Sequence, residues 1–420
     1  MNVRVLAHEA IGKILDKGGY SNIVINEVLN KFEFSDEDKS LFTKLVMGTV
    51  EYKIRIMFYL EPYLRKKQKP WVTNLLMMSV YQIVFLDIPE YAIVNEAVEI
   101  ANIKDRSVGS FVNAVLRNFL RDERRRYDTL DDLKRLSVQY SYPGWLVAYL
   151  LKDYSKDVVE KIFIEYQEAK RTGIRINTLK ANNEEVIAIL ESEGIEYYPT
   201  ELVKNGIQVK EPLMHHNLFI SGKITIQDLA SQLVAEVLNP QEGAVILDLC
   251  SAPGGKTAHL ASLMNNTGEI FACDIHQHKL NLMKKNFKRL GVNNVSLQLI
   301  DARKVREHVL EEAFDFVLAD LPCSGLGVLG HRVDLKYHIT KADIDDIIKL
   351  QEEILENTHM LVKPGGYYVM STCTINKLEN EEQMGKFLKK HPNFEKVEER
   401  TILPFDYHCD GFYICKLRRK

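Results

Sequence analysis

The spacing of apolar positions changes character twice along the chain. Up to about residue 128 apolar residues recur every three or four positions, the signature of amphipathic helices. Leu6, Ala7, Ala10, Ile11 and Ile14 mark the first face, and Ile23, Ile25, Val28 and Leu29 a second, shorter one. Ser35-Asp-Glu-Asp precedes a helix carrying Leu41, Leu45 and Val46, and a serine oxygen there can accept from the free N–H groups of the first turn. Residues 75–86 are apolar almost throughout, Asp87-Ile-Pro89 breaks the run, and residues 91–103 start the next helix. Residues 109–126 form the last, with Val112, Val115, Leu116 and Phe119 on its core side. Nothing alternates with period two, so an all-α bundle is expected over 1–128.

Residues 129–235 are mixed. Short helices are expected at 133–136, 145–151, 158–168 and 182–193, and strands at 173–179, 206–209 and 224–226. This reads as a linker and a small α+β segment bridging the bundle to the last part of the chain; Arg175 and Asn177 on its first strand read equally well as surface residues. From 236 to 420 strand-like and helical stretches alternate regularly, which predicts a doubly wound parallel sheet. Its strands are expected at 244–250, 269–275, 295–300, 314–320, 366–372 and 411–417, and its helices at 256–264, 278–290, 303–311, 343–361 and 379–390.

Bulk properties narrow the class. A chain of 420 residues suits two or three domains. With a net charge of −3, nucleic-acid binding must rest on local patches. Two patches qualify in the bundle: Arg65, Lys66, Lys67 and Lys69 beside Trp71, and Arg117, Arg121, Arg124 and Arg125 along one side of its last helix. Such a row could neutralise phosphates or be a solvated helix face. Six cysteines without a C-x-x-C pair argue against a disulfide framework and a zinc site, and for a reducing cytoplasm. The first residues lack the apolar centre of a signal peptide, and the 12-residue apolar run at 75–86 is too short to span a bilayer. A monomer with no metal and no membrane association is expected.

Residues 244–257, Ala-Val-Ile-Leu-Asp-Leu-Cys-Ser-Ala-Pro-Gly-Gly-Lys-Thr, carry the strongest local signal. A buried strand runs into a Gly-rich turn and a helix start, the cradle in which nucleotide-like cofactors bind. Gly-Lys-Thr suggests a phosphate loop, but that motif needs glycine where Cys250 stands. The dinucleotide fingerprint G-x-G-x-x-G is absent as well. An adenosine-type cofactor without pyrophosphate remains, with S-adenosylmethionine the candidate.

In such sheets ligands lie beyond the carboxyl ends of the strands. The second strand ends at Asp274, about 20 residues past the turn, where an acid can hold a ribose hydroxyl. The third ends at Asp301, placed for an adenine amino group, the fourth in Asp320-Leu-Pro-Cys323-Ser-Gly, and the fifth in Ser371-Thr-Cys373-Thr. An exocyclic amine has its own lone pair, whereas a pyrimidine carbon becomes nucleophilic only after a thiolate adds to the neighbouring ring carbon. An acid and a thiol on one strand end and a second thiol on the next suit the carbon chemistry. Spacing alone leaves open which cysteine attacks.

Thr225-Ile-Gln-Asp-Leu-Ala-Ser, Asp248-Leu-Cys-Ser-Ala-Pro-Gly-Gly-Lys-Thr, Asp320-Leu-Pro-Cys-Ser-Gly and Ser371-Thr-Cys-Thr resemble the motifs of RNA 5-methylcytosine methyltransferases. Phe111-Val-Asn-Ala-Val-Leu-Arg117 resembles the NusB-like domain of the bacterial 16S ribosomal RNA subfamily, the Sun/Fmu or RsmB type. The resemblance spans nearly the whole chain. It implies a class I, Rossmann-like methyltransferase domain behind a NusB-like RNA-binding domain, with 16S rRNA as substrate. It further implies that Cys373 attacks carbon 6 of cytosine and that Asp320 holds the base edge at its ring nitrogen. Cys323 would assist release of the product, and Cys250, Ser251, Ala252, Pro253, Gly254, Gly255, Lys256, Asp274, Asp301 and Asp320 would line the S-adenosylmethionine pocket. One stretch departs from the family pattern Arg-Arg-x-Pro-Asp-Ile-Lys, a substrate-binding loop: here Gly330-His-Arg-Val-Asp-Leu-Lys336 lacks one arginine and the proline. Rival readings are a transfer-RNA cytosine-5 methyltransferase on the same domain and a non-catalytic RNA-binding or antitermination protein.

Overall fold

A computed structural model describes residues 2–168 and 171–420. By packing the chain divides into two compact units. The first holds residues up to Gln167 together with His331–Ile339, and the second holds 168–330 and 340–420. The expected segment 129–235 contributes to both units. Its helices Asp132–Tyr140, Gly144–Leu150 and Lys156–Gln167 belong to the first unit, and its strands to the second. Burial explains the split: Val138 joins the hydrophobic core of the bundle, whereas Ile174, Ile207 and Ile224 form a separate core around their own sheet.

The first unit is helical. Ser35 caps the helix Asp36–Glu51, accepting from Asp38 N, and Asp105 caps Arg106–Arg121, accepting from Ser107 N. The helix Pro70–Phe85 is apolar nearly all round because it runs through the core, with Leu75, Leu76 and Val80 fully buried. Gly48 lets that helix pass close, since a Cβ there would lie 2.0 Å from the Tyr81 ring. The arginine row does not form. The last helix of the expected bundle stops at Arg121, because Asp122 turns to extended backbone (ψ 152°). Arg124 and Arg125 therefore lie past the helix, and Arg125 pairs with Glu61 while its guanidinium sits 4.1 Å over the Phe58 ring.

The second unit contains two sheets. The small one comprises β1 (Thr172–Ile176), β2 (Tyr197–Pro199), β3 (Gly206–Val209) and β4 (Ile224–Ile226) in the order β2-β3-β1-β4, with antiparallel pairings. Arg175 and Asn177 are buried, not surface residues. The Asn177 amide donates to Gly222 O and to Leu290 O, both at 2.8 Å, and so ties the small sheet to the end of the helix Gln277–Leu290.

The large sheet comprises β5 (Val245–Asp248), β6 (Glu269–Asp274), β7 (Val295–Leu299), β8 (Phe314–Asp320), β9 (Val362–Thr372), β10 (Phe394–Ile402) and β11 (Phe412–Arg419). Its order is β10-β11-β9-β8-β5-β6-β7. Strands β5 to β9 pair in parallel, as the alternation predicts. The sheet is nevertheless mixed, because β11 runs antiparallel to β9 and β10 antiparallel to β11. Strand β10 escapes the periodicity reading: its interior, Glu-Lys-Val-Glu-Glu-Arg, is an edge exposed on most positions, and charges are tolerated on such edges. The helix expected at 303–311 is a single 3₁₀ stretch, Ala302–Glu307, because only Ala302 and Val305 reach the core and Leu310 is exposed. Connections run one way from β5 and the other way from β8, so the topological switch point lies between them.

Candidate active site

The site is built where β5 and β8 part. After β5 the chain turns through Cys250–Gly254 into the helix Gly255–Leu263. Ser251 fixes the turn, its N–H and hydroxyl both donating to Cys273 O at 2.9 Å, and the Ala252–Pro253 peptide is cis. Gly254 adopts φ +92°, where an added Cβ would press on Met283 and Phe287 at 3.0 Å. The backbone beyond it carries the free N–H groups of a helix start, a cradle for an anionic or carboxylate group. Asp248 beneath the turn is fully buried; it accepts from the Thr257 hydroxyl at 2.7 Å while its other oxygen has no partner. Burial pushes its carboxyl up to about 7. Cys250 is likewise driven up by burial and then by Asp320.

Asp274 ends β6 and accepts from His276 N at 2.9 Å. Asp301, just past β7, caps the 3₁₀ stretch and already holds the Arg303 guanidinium at 2.6 Å, which keeps its carboxyl low. The parallel register brings the turn, Asp274, Asp301 and Asp320 to the same carboxyl-end edge. A glycine cradle, a helix start, strand-end carboxylates and an orphaned buried acid oxygen fit an adenosine-type ligand with an amino-acid end.

Lys256 crosses the switch point. Its ammonium lies 2.7 Å from Asp320 Oδ2 and 5.0 Å over the Phe412 ring. Burial works against its charge, but Asp320 overcomes this and leaves the ammonium harder to deprotonate than usual. Asp320 Oδ1 accepts from the Ser371 hydroxyl at 2.8 Å, so the acid is held by Lys256 on one side and from β9 on the other.

Cys323 and Cys373, 50 residues apart in sequence, come together with their sulfur atoms 3.3 Å apart. They are not equivalent. The hydrogen bond donated by the Cys323 thiol holds the Cys373 thiol below its usual range, and Lys256 acts in the same direction against burial and Asp320. Cys323 is pushed well up by that same hydrogen bond, by burial and by the negative charges of Cys373 and Glu379. The pair is thus inequivalent, with Cys373 the more acidic thiol of the two, and a thiolate is the reactive form of a cysteine. Gly327 lets the Cys323 loop close: its N–H donates to Cys373 O at 3.1 Å, and a Cβ there would collide with Gly411 O.

Sequence reasoning missed Glu379, which lies between the two cysteine loops and outside the helix expected at 379–390, since that helix begins at Glu381. The one signal for it was an acid six residues past Cys373. The substrate-binding loop at Gly330–Lys336 is a correction. Asp334 and Lys336 are 3% and 2% exposed, and within the first unit Asp334 accepts from Ser21 while the Lys336 ammonium donates to Glu51 O. Both are spent on packing, so neither is free to hold a substrate. A different cationic surface exists in the second unit: the helix Gln277–Leu290 contains no acid, and its Lys284, Lys285 and Lys288 are exposed.

Comparison with known proteins places these features in families. The 16S rRNA methyltransferase RsmB/F model matches residues 235–418, the NusB family model residues 1–121, and a ferredoxin-like domain of RsmF/B-like methyltransferases residues 142–215. A probable ribosomal RNA small subunit methyltransferase B from Bacillus subtilis is 37% identical over 442 residues, covering all of this chain and 99% of that protein. The crystal structure of PH0851 superposes with a TM-score of 0.84 at 29% identity, over all of this chain and 99% of that one. NSun6 from Pyrococcus horikoshii, solved with SFG, matches 67% of this chain and 99% of its own with a TM-score of 0.62 at 25% identity.

Proposed function

We infer the reaction from family and site together: the chain belongs to the ribosomal RNA small subunit methyltransferase B family, and its cysteine pair suits methylation at carbon 5 of a cytosine in 16S rRNA. The single observation that carries the chemistry is the 3.3 Å approach of Cys323 and Cys373, polarised toward a Cys373 thiolate.

S-adenosylmethionine, held by the turn Cys250–Lys256 with Asp274, Asp301 and Asp320, supplies an electrophilic methyl group when bound. The Cys373 thiolate adds to carbon 6, forming a C–S bond as the C5–C6 π pair shifts to C4–C5 and the C4–N3 π pair to the ring nitrogen. Carbon 5 thereby becomes enamine-like and can take up a methyl group. Asp320, held by Lys256 and Ser371, would grip the base edge and, carrying a proton, protonate or hydrogen-bond the ring nitrogen as negative charge builds there. Release requires loss of the carbon-5 proton and cleavage of the C–S bond, which returns the electron pair to Cys373. Cys323, 3.3 Å from the attacking sulfur, is the group at hand to serve that elimination. An unpaired cytosine is the easier target, since a paired one must first leave its stack.

The exposed lysines of the helix Gln277–Leu290 suit the phosphate backbone of the RNA. Bisulfite sequencing of total RNA from a strain lacking the gene tests the reading. Loss of methylation at one small-subunit rRNA cytosine supports it. Loss at a transfer-RNA site instead would favour the transfer-RNA enzyme, and no loss at all the non-catalytic alternative.

A further inference from the structure

The loops that carry the two cysteines meet on a single buried acid. Glu379 is fully buried, and each of its oxygens accepts two hydrogen bonds. Oε2 receives Ser324 N at 2.8 Å and the Gln351 amide at 3.1 Å. Oε1 receives the Asn376 amide at 2.8 Å and the Ser324 hydroxyl. Ser324 directly follows Cys323, Asn376 belongs to the Cys373 loop, and the Gln351 amide also donates to Pro322 O at 2.9 Å. With Ser324 donating to Glu379, the Thr374 hydroxyl is left to donate to Ser324 at 2.8 Å. The residue after each cysteine is thus fastened to the same carboxylate, Ser324 directly and Thr374 through Ser324.

A buried carboxylate is costly unless its lone pairs are filled. Burial raises the Glu379 carboxyl above its usual range, and the four neutral donors oppose that rise. Its negative charge helps push the Cys323 thiol up, whereas at Cys373 Lys256 acts to lower the thiol against Asp320. A hydrophobic residue could have packed the same space. A carboxylate does two further things: it pins two loops through one group, and it disfavours negative charge on the Cys323 sulfur.

We propose that Glu379 is the positioning residue of the cysteine pair: through Ser324, Asn376 and Gln351 its buried carboxylate locks the two cysteine loops together and so enforces the inequivalence of the two sulfurs. This rests on the reading of Cys373 as nucleophile and adds what enforces the division of labour.

The test uses the full-length protein with Glu379→Gln, which keeps the shape, removes the charge and turns one acceptor into a donor facing donors. Iodoacetamide alkylation of each cysteine at pH 7.5, followed peptide by peptide by mass spectrometry, reads the asymmetry without RNA. The wild type should label Cys373 first, and Glu379→Gln should lower the Cys373-to-Cys323 rate ratio by about tenfold, one unit of relative thiol acidity. With unmodified 16S rRNA, kcat should fall about tenfold or more while KM stays within about twofold. Glu379→Asp, which keeps the charge, should recover part of the labelling ratio. A loss of packing alone would lower melting temperature without changing that ratio. If Glu379→Gln does not fold, Ser324→Ala, which removes one donor, should change the ratio in the same direction by a smaller factor. A folded Glu379→Gln, or failing that Ser324→Ala, with a wild-type ratio overturns the proposal. An active Cys373→Ala overturns the nucleophile reading beneath it, and an inactive Cys373→Ala beside an unaltered Glu379→Gln overturns this proposal alone.

Discussion

The loops that follow β8 and β9 are near copies in composition and opposites in environment. Each leaves a buried parallel strand, each presents a half-buried cysteine, and each continues with a hydroxyl residue, Ser324 or Thr374. The β9 loop sends Cys373 toward the cation of Lys256, while the β8 loop sets Cys323 beside the acid of Glu379. Two identical side chains are thus pushed in opposite directions by their neighbours. At such short range a nearby charge and a shared hydrogen bond outweigh any intrinsic difference between thiols.

The comparison breaks most visibly if the sulfurs are removed one at a time. Cys373→Ala should reduce methyl transfer into 16S rRNA to background, because no thiolate remains to add to carbon 6. Cys323→Ala should instead accumulate a covalent protein–RNA adduct, seen as a band of retarded mobility on denaturing gels, since addition proceeds and elimination stalls. The adduct appearing in Cys373→Ala would reverse the two roles.

Lys256→Met probes the electrostatic half of the difference. Activity that needs the Cys373 thiolate rises as pH passes through the titration of that thiol. Lys256 favours the thiolate, so its loss should move the acid limb of the pH–rate profile to higher pH. A shift of about one unit corresponds to about a tenfold loss on the acid side. An unmoved limb would mean that the hydrogen bond from Cys323 alone sets the asymmetry. The smallest effect is expected from Lys284, Lys285 and Lys288 changed together to Gln, on a helix that carries neither cysteine. RNA binding should weaken and its log–log salt slope flatten by about 2, at about 0.7–0.9 for each phosphate left without its lysine, while kcat and the alkylation ratio stay as they are. A change in that ratio would mean the two sulfurs respond to RNA-binding charge as well as to their own loops.

Much of this was readable in one dimension. Apolar spacing located β5, β6, β8 and β9, whose paired stretches are largely buried and apolar, and also the half-exposed edge strand β7. The β5 turn declared itself through Pro253, Gly254 and Gly255, whose backbone requirements are local. The motifs around Asp320, Cys323 and Cys373 marked the strand ends where ligands bind.

Other features depended on partners distant in the chain. Arg175 and Asn177 resembled surface residues until the fold buried them, with Asn177 tied to Leu290 O. The arginine row failed because one residue, Asp122, left helical geometry and sent Arg125 to Glu61. Asp334 and Lys336, consistent by motif with a substrate loop, were taken up by packing against Ser21 and Glu51. The sequence by itself determined which chemistry is present: an acid, two thiols and a cofactor turn at neighbouring strand ends. Only the tertiary structure brought the two thiols together and set Lys256 and Glu379 to act on them in opposite senses, from 117 residues before Cys373 and 56 after Cys323. Charge and hydrogen bonding act through space, and no local pattern encodes which residues will meet.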